Sequence, residues 1–226
     1  MIRQALLTFF SVAAFSQPIG PVKTPLEQRL DEVKRSIAQN QAKLKQYAWT
    51  ETKEIRLKGE VKKREQNNCF YGPGGKVQKT PIGDAPPPKE RRGIKGKIVA
   101  NKIDEMKDYM DRVSSLLRRY IPPDPQTMQA ALQSGKVTLE PAGGAIVFNS
   151  YAKPGDKVTL TFDRETKKIR SFAVATYLDD PKDTVAVNAR FSILLDGTNF
   201  VEESVLDASA KQIQINTTNF GYHIRS

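Results

Sequence analysis

The stretch from Lys97 to Ser134 constrains the fold more than any other, because it is helical sequence set between two blocks of strand-like sequence. Its apolar residues fall at Val99, Ile103, Met106, Met110, Val113, Leu117 and Tyr120, in alternating steps of four and three. That spacing lays them on one stripe of a helix, while Lys102, Asp104, Glu105, Asp108, Asp111 and Arg112 take the opposite face. Arg118 and Arg119 suit the carbonyl end, and Pro122–Pro123 stops the helix because neither residue has an N–H to give. Asp124–Pro125 restarts it as a cap and a preset first residue, Met128, Ala131 and Leu132 supply a short apolar face, and Gly135 ends it. A helical pair over about 97–134, flanked by strands, is expected to pack on a sheet rather than to zip into a coiled coil.

The flanks read as follows. Thr24-Pro25-Leu26-Glu27 is a capping box, and a helix runs from it to about Gln46 with Leu26, Leu30, Val33, Ile37 and Leu44 on a narrow stripe. Such a helix is expected to lie across the outside or the mouth of the body. From Tyr47 the period becomes two. Tyr47, Trp49, Ile55, Leu57 and Val61 alternate with polar residues, as one very long strand or as two with a bend at Gly59. Phe70–Tyr71, a turn at Gly72-Pro73-Gly74-Gly75 and a return through Lys76-Val77-Gln78 predict a hairpin. This is not a phosphate loop, since the glycine spacing is wrong and Val77 stands where a Ser or Thr would bind magnesium. The segment from Asp84 to Gly96 has the Pro, Gly and charge content of a long exposed loop. Beyond Lys136, alternating runs separated by short turns predict an antiparallel meander, including Val158, Leu160 and Phe162 and then Val185, Val187, Ala189, Phe191, Ile193 and Leu195. The fold class expected is α+β.

The first residues read as a secretory signal, with Arg3, an apolar run from Ala5 to Phe15 and a small-x-small site at Ala14-Phe15-Ser16. The apolar run is too short to span a bilayer, and no cysteine follows it to carry a lipid anchor. The expectation is therefore a signal over 1–16 and a single domain over 17–226, soluble in the periplasm or secreted, and monomeric. The formal charge is +11, and losing Arg3 leaves +10. Its one local concentration, Lys89, Arg91, Arg92, Lys95 and Lys97, favours an anionic envelope polymer or membrane; export argues against nucleic acid.

No motif points to a reaction. Cys69 is the only cysteine and His223 the only histidine, so neither a disulfide within the chain nor a Cys–His pair is expected. Gly-x-Ser-x-Gly, a zinc pair and a dinucleotide fingerprint are absent from the sequence. Asp179, Asp180 and Asp183 lack calcium-loop spacing and read as a solvated turn. Neither catalysis nor a cofactor or metal is expected.

One helix, long meandering strands, a helical pair and further antiparallel strands, behind an exported start, is an order that resembles the LolA-like half-barrel family of periplasmic lipoprotein carriers and related lipid-binding envelope proteins. The resemblance covers roughly Thr24 to Asn219 and rests on element order. Tyr47-Ala48-Trp49-Thr50-Glu51-Thr52, Tyr71-Gly72-Pro73-Gly74-Gly75-Lys76 and Lys153-Pro154-Gly155-Asp156 also look like secreted bacterial proteins of similar length. The family implies a curved antiparallel sheet, an incomplete barrel, with helices on its concave side and an apolar cavity for a lipid or lipoprotein acyl chain. Candidate lining residues are those facing the central helices: Trp49, Ile55, Leu57, Met106, Met110, Val158, Leu160, Phe162, Phe191 and Ile193. The same residues would equally close a solid core.

Overall fold

A computed structural model describes residues 24–83, 94–140, 144–166 and 168–225. The expected signal over 1–16 and the basic residues Lys89, Arg91 and Arg92 lie outside the described residues. Lys95 and Lys97 lie on a described helix, but their side chains are likewise outside.

Helix α1 spans Pro25–Leu44. It opens on the expected capping box: Glu27 N donates to Thr24 Oγ1 at 3.2 Å, and Thr24 N donates back to Glu27 Oε2 at 2.7 Å. Strands β1 (Tyr47–Leu57) and β2 (Glu60–Tyr71) are the two halves of the long alternating run. They meet at Lys58 and Gly59, where φ is 54° and 80°, the paired left-handed residues of a two-residue hairpin turn. Strand β3 (Val77–Pro81) returns against β2. Then come α2 (Ile94–Leu117) and α3 (Pro125–Gln133), the latter capped by Asp124 Oδ2 accepting from Thr127 N at 2.8 Å. Seven strands follow: β4 (Val137–Leu139), β5 (Ala145–Asn149), β6 (Lys157–Phe162), β7 (Ile169–Tyr177), β8 (Thr184–Ile193), β9 (Asn199–Ala208) and β10 (Ile213–Ile224).

All the strands join one antiparallel sheet in the order β3-β2-β1-β10-β9-β8-β7-β6-β5-β4, open at both edges. Every neighbour in it is also a chain neighbour except the seam between β1 and β10. That seam sends β3 and β4 to opposite edges, so α2 and α3, which connect them, have to traverse the sheet. Ten strands give nine steps of about 4.8 Å, or about 43 Å. The 24 residues of α2 supply about 36 Å of that.

The contacts of α2 follow its path along one end of the sheet. Glu105 pairs with Lys211 at the β9–β10 turn. Tyr109 donates to Asp183 at 2.8 Å and Arg112 pairs with Asp179, both in the β7–β8 turn. Just past its end, Arg119 donates to the Ala152 carbonyl, and Tyr120 to Asp156 at 2.7 Å, in the β5–β6 loop. Read along the helix, these partners come in the order of the sheet. The turn aspartates thus serve to fasten the helix.

Two expectations are corrected here. Of the stripe expected on α2, Val113 and, just past the helix end, Tyr120 are fully buried and Met106, Met110 and Leu117 pack half-buried against the core, but Ile103 is 50% exposed, and Tyr109 and Leu116, which the stripe left out, are buried. The sheet covers an arc wider than a seven-residue seam, so Tyr109 and Leu116, each beside a stripe residue, are buried along with it. Ile193 and Leu195 leave the buried face of β8: Ile193 is 44% exposed at the strand's last position, and Leu195 lies wholly exposed in the β8–β9 turn.

Registers give the inward face as rows. One row runs Ile55, Ile215, Leu206, Val187, Val174, Val158, Phe148, Val137 from β1 to β4 and is apolar throughout. The next runs Lys53, Thr217, Ser204, Ala189, Phe172, Leu160, Ile146, Leu139, polar at the β1 side and apolar from β8 onward. The buried apolar members of those rows, with Tyr109, Val113 and Leu116 of α2, Tyr120 just beyond it, and Met128 and Ala131 of α3, form much of the core.

Candidate functional site

An apolar cavity of about 370 Å³ opens beside the second row, within the size range of small-ligand sites. Its floor is sheet: Leu160 on β6, Ile169 and Phe172 on β7, Val187, Ala189 and Phe191 on β8, and Asn199, Val201 and Ser204 on β9. The roof comes from α1, through Ser36, Ile37, Asn40, Gln41 and Leu44. Ile121, Pro122 and Pro123, between α2 and α3, close one side, and Tyr71 at the end of β2 completes the wall. Among the described residues, no lining side chain carries a charge.

Helix α1 is held over this space by Asn40. Its Oδ1 accepts from Asn199 N at 2.7 Å, and its Nδ2 donates to Asn199 O at 2.5 Å, so the side-chain amide pairs with the start of β9 as a neighbouring strand would. Lys43 reaches the Asp196 carbonyl and Lys34 the side chain of Gln129 on α3. Asn199 is 7% exposed, and its own Nδ2 donates to Ile169 O at 2.8 Å. Its Oδ1 is buried with no partner.

The candidate lining residues are distributed widely. Leu160 and Phe191 stand on the cavity wall. Val158 and Phe162 are buried in the core, and Met110 packs half-buried against it. Ile55 sits half-buried in the apolar row beside the seam. Leu57 and Met106 line a second, more open groove, and Ile193 projects to the surface. Trp49 is 6% exposed and stands behind the cavity wall: it packs on Tyr71 at 5.4 Å between ring centres, stacks on Tyr222 at 5.5 Å and donates from Nε1 to Asn219 Oδ1 at 3.0 Å.

Sequence reasoning missed Asn40, Asn199, Val201 and the Ile121–Pro123 link. One signal was present. In α1 the stripe through Val33, Ile37 and Leu44 calls for an apolar residue at position 40, and asparagine stands there.

The second groove holds about 750 Å³ between Leu57, Lys58, Glu60 and Lys62, the α2 residues Lys102, Ile103, Glu105 and Met106, and Ala210–Gln212. Four lysines meet two glutamates there. Lys62 holds the Glu60 carboxyl, and Lys211 that of Glu105, below the usual carboxylate range by hydrogen bonding.

Cys69 is fully buried, opposite Trp49 on β1. Burial foremost, and then the Glu51 carboxylate, push its thiol up, away from the thiolate a nucleophile needs. Glu51 is itself 7% exposed and grips Lys79 Nζ with both oxygens at 2.6 Å. Burial, together with the hydrogen bond to Asp156, raises the Tyr120 hydroxyl; the bond it shares with Thr176 opposes this. Among the described residues no group of three His, Cys, Asp or Glu side chains gathers to hold a metal, and no helix is long and apolar enough to cross a membrane.

Compared with protein family models, with curated proteins and with solved structures, the chain matches none.

Proposed function

We propose that this chain is a non-catalytic binding or carrier protein for a lipid or other apolar ligand, working in the periplasm or outside the cell. The observation that carries this reading is the cavity of about 370 Å³ walled by uncharged side chains in a chain of formal charge +11. An acyl chain gains on the order of 0.8 kcal/mol per methylene buried. It therefore needs a lined space rather than a set of fixed polar groups.

In this reading the sheet is an incomplete barrel of the LolA-like kind, curved so that α2 and α3 lie on its concave side. The test is native mass spectrometry of the protein purified gently from its own envelope, followed by solvent extraction. A bound mass that proves to be lipid is the expected result. A bare protein from the same preparation overturns the reading.

A second reading places an anionic envelope polymer or membrane on the basic surface, with the groove of four lysines as its centre. Binding to anionic vesicles that falls steeply from low to high salt supports it, and binding indifferent to salt removes it.

A further inference from the structure

We propose that the cavity and the lysine groove are the two ends of one site, which takes a long single acyl chain ending in an anionic group, a carboxylate or a phosphate. The proposal rests on the cavity being a ligand site, and it adds the length, charge and direction of the ligand.

The inward face of the sheet connects the two spaces. Ser204 on β9 stands on the cavity floor, and Leu57 on β1 lines the groove. Leu57 pairs with Ile213, and Ile213 with Ala208, so it lies two strands across from β9 and four residues along it from Ser204. That is about 14 Å along the strands and about 10 Å across them. Between lies the row of Leu206, Ile215 and Ile55, apolar and only half-buried, so solvent still reaches each of them. An apolar strip of that length, leading from a cavity to a groove, suits an extended chain better than a compact ligand.

The two ends differ in charge, and this sets the direction. Among the described residues the cavity wall carries none, so a carboxylate or phosphate there would lose its hydration and meet no counter-charge. In the groove Lys62 pairs with Glu60 and Lys211 with Glu105, which leaves Lys58 and Lys102 without an ion pair among the described residues. Both are exposed, so an anionic end beside them keeps part of its water while the chain leaves over Leu57 and the strip. The tail lies in the cavity and the head among the lysines.

The test is equilibrium dialysis of the delipidated full-length protein with radiolabelled octanol, octanoate, hexadecanol, hexadecanoate and hexadecyl phosphate, at neutral pH and low salt. The short chain, held in the cavity, falls short of the groove, so octanol should bind about tenfold tighter than octanoate. The preference should reverse with length: hexadecanoate and hexadecyl phosphate should each bind about fivefold tighter than hexadecanol. That advantage should fall below about twofold at high salt and in the double variant Lys58→Gln/Lys102→Gln. It should persist in Lys157→Gln, on the outward side of β6. Hexadecanol, which has no use for the lysines, should bind the double variant as it binds wild type, which shows that the variant is folded. The same preference at both chain lengths overturns the joined site while leaving an apolar carrier intact. An advantage that survives in the double variant, or is lost equally in Lys157→Gln, overturns the placing of the head in the groove. No binding of any hexadecyl ligand removes both the proposal and the carrier reading beneath it.

Discussion

The sheet has two halves that follow the same alternation and do different things with it. From β8 to β4 the apolar row is covered: Val187, Val174, Val158, Phe148 and Val137 are all buried, with Phe148 at 0% exposed. From β9 to β1 the same row continues through Leu206, Ile215 and Ile55, and each is only half-buried. The next row sharpens the contrast, passing from Phe172 and Leu160 in the covered half to Ser204, Thr217 and Lys53 in the other. Alternation therefore decides which way a side chain points, and the helices decide whether it is buried. The cavity lies at the border, where the covered half runs out and α1 takes over from α2 and α3.

The sharpest way to break this division is to truncate along one row. Phe148→Ala should cost about 3–5 kcal/mol in urea unfolding, while Ile55→Ala, half-exposed in the same row, should cost about 1–2 kcal/mol. Equal costs would erase the distinction between the halves. Next comes Asp156, 2% exposed, whose carboxylate accepts from the backbone N–H groups of Tyr151, Ala152 and Lys153 and from the Tyr120 hydroxyl. Asp156→Ala strands these donors and should cost about 3 kcal/mol; Tyr120→Phe, which removes one bond from Asp156 and one from Thr176, about 1–2 kcal/mol. In the other half the comparable buried carboxylate is Glu51. Glu51→Gln should cost only about 1 kcal/mol, because the Lys79 side chain is 40% exposed and can turn to water.

The smallest effect is electrostatic. Hydrogen bonds from Arg64, and then Arg56, hold the Glu54 carboxyl below its ordinary value. A carboxyl lowered in the folded state adds stability at pH above its unfolded value, and that increment disappears as pH falls through the lowered one. The urea midpoint of wild type should therefore exceed that of Glu54→Gln at neutral pH, and the gap should close on acidification. A gap that widens in acid would contradict the assignment.

Much of this architecture was legible in the sequence because it is written in local patterns. The capping box at Thr24, the break at Pro122–Pro123, the restart at Asp124 and the alternation of the late strands each depend on a few neighbouring residues. The β1–β10 seam was not legible, since no local pattern says which strand a distant strand will pair with. The site suffered for the same reason. Leu160 and Phe191 belong to readable strands, but the roof is set by how α1 lands on β9, and that rests on the Asn40–Asn199 pair far apart in sequence. The face of α2 was legible only in part, for a different reason: periodicity gives the centre of a stripe and not the width of the arc that the sheet covers, so Val113 was expected inside whereas Tyr109 and Leu116 beside it were not.

The seam also orders events in time. Strands β4 to β10 can assemble by successive hairpins as soon as each is available, and β1 to β3 likewise form a local unit. Joining the two must wait for β10, whose Ile224 pairs with Tyr47 across most of the chain. Such long-range closure is slow compared with hairpin formation. During synthesis, then, β1 is among the first strands made and its seam edge is among the last to be covered. Until that moment Tyr47, Trp49 and Ile55 stand on an open strand edge, and it is in this interval, rather than in the finished molecule, that the chain is most exposed to pairing with the wrong partner.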